Sequence, residues 1–372
     1  MTLIFVYLAF SKKLMLSKGK SLILISSLVL YALYSIGTIY TPYLDSALID
    51  LRIKSALFFI PLLFLFDGKN KSLWPGNKNV SRFFVAGISI YLIYCIIRSF
   101  YFYLKTKDFS VFFYEEFTPF EQHAYVALIT DIAIAILFFY KEFFKNTYVR
   151  VVLYAVLLSS LFFLSSRGGI LALFLLLGIY FVYQVFIGKK RALAFKSIGI
   201  ILFFTIIFSW SSPVVRSGLM RLYQNPKVFS EGKKEDSGEP RLLIWEISWS
   251  LYKEKPVLGY GTGSVSEILT KVYAKNDYEE YATKRWNAHN QYLQTVLSIG
   301  AIGGIVLLFS LLLPFFISIR KRESLVFSAL FLFMINLFTE SMLERQTGVC
   351  LFVIVLAIAF HNLEGNKSKQ IE

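Results

Sequence analysis

Apolar residues in this chain come in long unbroken runs, not at the two-residue spacing of a strand or the three-to-four spacing of a soluble helix. Leu22 to Tyr40, Val149 to Leu164, Ile170 to Ile187 and Val349 to Phe360 are nearly free of charge. A helix that crosses the hydrocarbon core of a bilayer needs about 20 such residues, and tilt or snorkelling flanks stretch that range. The runs predict ten spans, over residues 21–41, 48–66, 82–104, 122–140, 149–165, 168–187, 193–210, 291–318, 324–340 and 347–361. Met1 to Phe10 is too short to span and lacks a small-residue cleavage site, so it reads as the remnant of a first helix ahead of these ten and not as a signal peptide. The expected fold class is an all-α integral membrane protein with about ten to eleven transmembrane helices.

The polar connections orient these helices. Alternate connections are basic: Lys12, Lys13, Lys18 and Lys20; Lys69, Lys71, Lys78 and Arg82; Lys141, Lys145 and Arg150; Lys189, Lys190, Arg191 and Lys196; Arg320, Lys321 and Arg322; Lys367 and Lys369. They hold 20 cations against five anions, an excess equal to the formal net charge of the whole chain, +15. Short cytoplasmic loops carry such Lys/Arg excess. The pI near 9.5 is therefore a signal of topology. A nucleic-acid partner would want the cations on one solvent face among stacking aromatics, and they are not so placed. Composition agrees: 56% of the 372 residues are hydrophobic and only 17% are charged.

The outward set is then 42–47, 105–121, the Ser165–Gly169 turn, 211–290 and 341–346. Three regions follow: residues 1–210 with the first seven spans, the large periplasmic loop 211–290 with active-site residues, and 291–372 with three last spans and a cytoplasmic tail. Loops as long as 211–290 are functional or disordered. Trp245, Trp249, Tyr252, Tyr260 and Trp286 argue that part of it folds, whereas Ser230–Pro240 has the composition of a mobile tip. Leu242, Ile244, Trp245, Ile247, Ser248, Trp249 and Leu251 suit a helix lying against the membrane face.

Candidate chemistry gathers on that outward side. Arg167, in Ser165-Ser166-Arg167-Gly168-Gly169, sits where a following helix N-terminus favours an anion and two glycines admit a ligand. Taken alone it is a helix-boundary arginine. Arg241 opens Arg241-Leu-Leu-Ile-Trp245, followed by Pro256-Val-Leu-Gly-Tyr-Gly-Thr-Gly263. Gly259, Gly261 and Gly263 imitate a nucleotide fingerprint without its strand, and read as a turn. His289, in Asn287-Ala-His289-Asn290-Gln-Tyr292-Leu293, stands where the long loop re-enters the membrane. An imidazole there can exchange a proton near neutral pH. Secondary candidates are Asn290, Glu340, Glu344, Arg345 and His123, the last with Glu115, Glu116 and Glu121 nearby. Arg98 and Asp131, in or near spans, are expected to pair with each other. Cys95 and Cys350 read as packing residues. No Cys/His cluster, HExxH or Asp-x-Asp pair suggests a metal, so neither metal nor cofactor is expected.

Together, SSRGG at 165–169, the arginine and tryptophan at 241–245 with PVLGYGTG at 256–263, and AHNQYLQ at 288–294 resemble the O-antigen ligase/polymerase family of membrane glycosyltransferases. The resemblance runs from about Val149 to Phe360, and its most specific element is His289-Asn290-Gln-Tyr292-Leu293. The chain has fewer helices on its N-terminal side than that family usually has. The resemblance implies a bacterial inner-membrane enzyme whose site faces the periplasm. The donor would be an undecaprenyl-pyrophosphate-linked glycan and the acceptor lipid A-core or another hydroxyl, with transfer metal-independent and inverting. By motif, Arg167 and Arg241 would hold the pyrophosphate and His289 would activate the acceptor. Within the superfamily, SRGG and the single dominant outer loop favour a ligase, with polymerase and protein O-oligosaccharyltransferase as the alternatives. A transporter or flippase is the alternative of a different class, with Arg98 and Asp131 as pathway charges.

Overall fold

The computed structural model describes residues 21–66, 77–186 and 240–364. Among these residues the chain is helical without strands, as long apolar runs require, because a backbone in hydrocarbon must satisfy its own polar groups. The helices are α1 (Ser21–Tyr40), α2 (Leu44–Lys54), α3 (Ala56–Phe66), α4 (Asn77–Thr106), α5 (Tyr114–Phe117), α6 (His123–Phe139), α7 (Thr147–Leu164), α8 (Arg167–Phe186), α9 (Pro240–Glu254), α10 (Val265–Lys275), α11 (Glu279–Lys284), α12 (Gln291–Lys321), α13 (Ser324–Thr339) and α14 (Gln346–Glu364). Five segments among the described residues are long and apolar enough to cross a membrane: 21–40, 78–106, 147–164, 167–185 and 291–321. Shorter apolar helices cover 123–139, 324–339 and 346–362. The expected span 193–210, the tip 230–239, the first basic segment and those around 69–71 and 189–196 lie outside the described residues.

The expected span 48–66 differs from the structure in an instructive way. It is two helices, because the Ser55 amide and hydroxyl both donate to the Arg52 carbonyl, at 3.3 and 2.8 Å, and close a tight turn. Pro61, lacking an amide hydrogen, sits inside α3.

The described residues form two compact units, one drawn from 1–82 and 245–372, the other from 83–244. In the first, α1 packs on α12 and α3, α12 on α13, and α14 on α1, α3, α12 and α13. Leu24, Leu30, Leu297, Leu307, Phe333 and Phe352 lie in its core with no exposed surface or almost none. In the second, α6 packs on α7 and α8, and Phe112, Phe113, Phe117 and Phe163 cluster beside them.

α12 is broken inside its length. Ile299 and Gly300 leave helical geometry, with Gly300 at φ 71° and ψ −173°. The break frees carbonyls that the glycine-rich segment of the long loop takes up. Tyr260 N donates to Leu297 O (2.8 Å), Gly261 N to Ser298 O (2.9 Å), and Ala301 N to Pro256 O (2.8 Å). Gly259, Gly261 and Gly263 are thus more than a turn: all three have positive φ and press the loop backbone onto α12, α1 and α2.

Candidate active site

His289 is held by the start of α12. Asn287 Oδ1 accepts the His289 amide at 2.9 Å, and the Asn290 side chain caps the helix by accepting from Leu293 N at 3.1 Å. Gln294 reaches back to the Ala288 amide at 3.2 Å. Between these fixed points His289 takes φ 43°, a left-handed conformation uncommon for a residue with a Cβ. That strain aims the ring at the end of α13. Nδ1 lies 3.1 and 3.2 Å from the two oxygens of Glu340, whose side chain is only 7% exposed. An ionised carboxylate only accepts, so Nδ1 carries the proton and Nε2 is left as the basic nitrogen. The Trp286 ring stands edge-to-face on the imidazole, centroids 5.9 Å apart, and is itself stacked on Tyr281 at 4.7 Å.

The loop after α13 closes the arrangement. Ser341 N donates to Glu340 Oε1 (3.2 Å), while Ser341 Oγ accepts from Asn290 N (3.2 Å). Leu343 N donates to Gln291 Oε1 at 2.6 Å. Glu344 turns away from the imidazole and pairs with Lys54 at 3.0 Å. Burial and the neighbouring Asp50 carboxylate push Glu344 above the ordinary carboxylate range, opposed by the Lys54 ammonium. Arg345 is exposed and ends the short 342–344 turn, its carbonyl accepting from Val349 N at 3.1 Å.

The other candidates belong to the second unit. Ser165 ends α7 in the left-handed conformation, and Ser166 Oγ accepts from Gly169 N at 3.3 Å, which starts α8. Arg167 is therefore the first residue of α8, exposed, with its charge acting on Tyr114. Burial raises the Tyr114 phenol and the Arg167 guanidinium lowers it, the burial being larger. A Cβ on Gly169 would lie 3.0 Å from Ala127 Cβ, so this glycine eases the close approach of α8 to α6. His123 begins α6 and sets its ring edge-to-face on Tyr114 at 5.6 Å. Arg241 is in the first turn of α9, half-buried. α9 buries Ile244, Ser248 and Leu251 on one face and exposes Leu242 and Trp249.

The expected pair of Arg98 with Asp131 is not formed. Arg98 Nη1 donates instead to the Glu116 carbonyl at 2.7 Å, and its guanidinium lies over the Phe102 ring. Asp131 is fully buried, and neither carboxylate oxygen has a hydrogen-bond partner.

The structure thus brings His289, Asn290 and Glu340 together, with Glu344 one turn further along the same loop. Sequence reasoning missed Asp50, Lys54, Gln291 and Ser341. The one available signal was an acid and a lysine four residues apart inside an apolar run.

Parts of this sequence are similar to known proteins. Residues 151–308 match the sequence model of the O-antigen ligase family, a segment that includes Arg167, Arg241 and His289. An uncharacterized protein of Haemophilus influenzae is 28% identical over 203 residues, which cover 52% of this chain and 49% of that protein. A Rickettsia conorii protein provisionally named a polysaccharide ligase is 29% identical over 175 residues, 45% of this chain and 40% of that protein. The chain therefore spans about half or less of the length of the curated relatives it matches.

Proposed function

We propose that this chain, which carries an O-antigen ligase segment over residues 151–308, transfers a lipid-linked glycan to a hydroxyl acceptor at the periplasmic face of the inner membrane. The donor is an undecaprenyl-pyrophosphate-linked glycan and the acceptor lipid A-core. The observation that carries the reading is the His289–Glu340 pair at the mouth of α12. Nε2 of His289 takes the proton of the acceptor hydroxyl as its oxygen attacks C1 of the donor sugar. The C1–O bond to the pyrophosphate breaks, the electron pair leaving with the undecaprenyl pyrophosphate, and the sugar is inverted. Glu340 stabilises the imidazolium that forms, as a carboxylate does for a catalytic histidine elsewhere. The motif resemblance assigns the pyrophosphate to Arg167 and Arg241, whose fixed positive charge suits a leaving group that gains negative charge. The reading needs no metal and no cofactor.

Expression in strains deleted for the ligase or for the polymerase, read on a lipopolysaccharide gel, tests it. Restored attachment of glycan to lipid A-core in the ligase-deficient strain is the expected result. Restored chain extension alone would make it a polymerase. Glycosylated protein Ser/Thr would make it an O-oligosaccharyltransferase, and rescue of neither strain, with export of lipid-linked glycan restored in a flippase-deficient strain, would make it a flippase.

The arginines give a second test. Arg167→Ala or Arg241→Ala is expected to weaken donor binding and lower kcat/KM by about 10²-fold or more, the usual effect of removing one transition-state donor. Lysine at either position restores only part of it, because an ammonium lacks the two-pronged fork. Wild-type donor affinity in both alanine variants would refute the assignment.

A further inference from the structure

The most heavily buried charge among the described residues of the first unit has no role in that mechanism. Lys54 ends α2 with no exposed side-chain surface, its Nζ 2.5 Å from Asp50 Oδ1 and 3.0 Å from Glu344 Oε1. The ammonium also stands 4.8 Å over the Tyr34 ring. The Tyr34 hydroxyl and Thr295 Oγ1 are 3.3 Å apart, and Thr295 Oγ1 accepts from Gln291 Nε2 at 3.1 Å. Buried ion clusters of this kind are commonly replaceable by apolar side chains with no loss of stability, so stability alone does not account for one here.

Its position in the chain does. Glu344 is four residues from Glu340, and the turn between them is tied to the start of α12 through Ser341 Oγ with Asn290 N and Leu343 N with Gln291 Oε1. The 340–344 segment is therefore anchored at one end on His289 and at the other on Lys54. We propose that Lys54 is a positioning residue for the His289–Glu340 pair: it holds Glu344, and through the 340–344 turn sets the Glu340 carboxylate against Nδ1 of His289. The groups facing its ammonium are Asp50, Glu344 and the Tyr34 ring. The kinetic arm of the test rests on the transferase reading, and the structural arm does not.

The test uses the full chain in detergent, with two variants. Lys54→Met strands two partly buried carboxylates against each other and should lower the thermal midpoint. The neutral triple Asp50→Asn, Lys54→Met, Glu344→Gln removes every charge of the cluster and should regain the wild-type midpoint. In that folded triple variant, His289 should react with diethylpyrocarbonate severalfold faster, read site by site by mass spectrometry, because its ring is no longer held by Glu340. Its kcat should fall by about 10²-fold, the scale of a misplacement near 1 Å, with the donor KM essentially unchanged. A stable triple variant with wild-type His289 reactivity and wild-type kcat would overturn the proposal. Raised His289 reactivity in a protein that transfers no glycan even as wild type would uphold the role of Lys54 and overturn the transferase reading instead.

Discussion

His289→Gln is expected to leave the protein folded and its donor affinity intact while turnover falls by about 10²–10⁴-fold, the range for loss of a general base. Glutamine is the demanding substitution. Its side-chain amide can still donate to Glu340 as the imidazole Nδ1 does, 3.1 Å from the carboxylate, so the loop keeps its tie to α13. What the amide lacks is a basic nitrogen. If His289 served only to hold the loop onto the membrane helices, glutamine would keep most of the activity. The Asn287 side-chain bond to the His289 backbone amide is also unchanged by the substitution, while the Trp286 edge contact with the ring is lost. A kcat near wild type in a well-folded His289→Gln enzyme that binds donor would therefore rule out the catalytic role. Glu340→Gln is the companion variant. Its amide can donate to Nδ1, which favours the other tautomer and removes the base from Nε2. The expected result is a lower kcat with little change in donor KM.

Much of this architecture is legible because lipid leaves a chain so few choices. An apolar run such as Leu22 to Tyr40 has to become a helix, and α1 does, over Ser21–Tyr40. Helix starts are equally legible where a cap is written in the sequence. Asn290 caps α12 and Ser166 caps the helix that opens with Arg167, so both candidate residues land at helix N-termini as their motifs imply. Partners distant in sequence are not legible in this way. Glu344 lies 290 residues from Lys54, and no local pattern announces that pair. The expected match of Arg98 with Asp131 failed for the same reason: opposite charge and apolar context cannot reveal that a backbone carbonyl, that of Glu116, is nearer. Glu340 was a candidate by its place at the end of a helix, while its contact with His289, 51 residues earlier, needed the packing of α13 beside α12.

The glycines show the same division, and they carry the last expected result. Gly300→Ala should destabilise the protein by on the order of 3–5 kcal/mol, far more than an ordinary glycine replacement in a helix. At φ 71° and ψ −173° the residue occupies a region that is essentially glycine's own, with a strain of about 1–3 kcal/mol for any other residue. An added Cβ would also drive into the Val257 carbonyl, where no side-chain carbon fits. Relief requires the Pro256–Gly261 segment to lift from α12, which unmakes the bonds of Tyr260 N to Leu297 O, Gly261 N to Ser298 O and Ala301 N to Pro256 O. Each such bond contributes about 1 kcal/mol net, and a buried group left unpaired costs about 1–3 kcal/mol. The segment before the break is the helix start that fixes His289, so catalysis should fall with stability. Gly87→Ala and Gly178→Ala are the controls: both lie inside helices with nothing within 4 Å of an added Cβ. Alanine is the better helix former, so these two should be neutral or slightly stabilising. Thermal midpoints of the three purified variants in one detergent decide the matter. A Gly300→Ala protein melting with the wild type would mean that the glycine-rich segment does not depend on the break in α12.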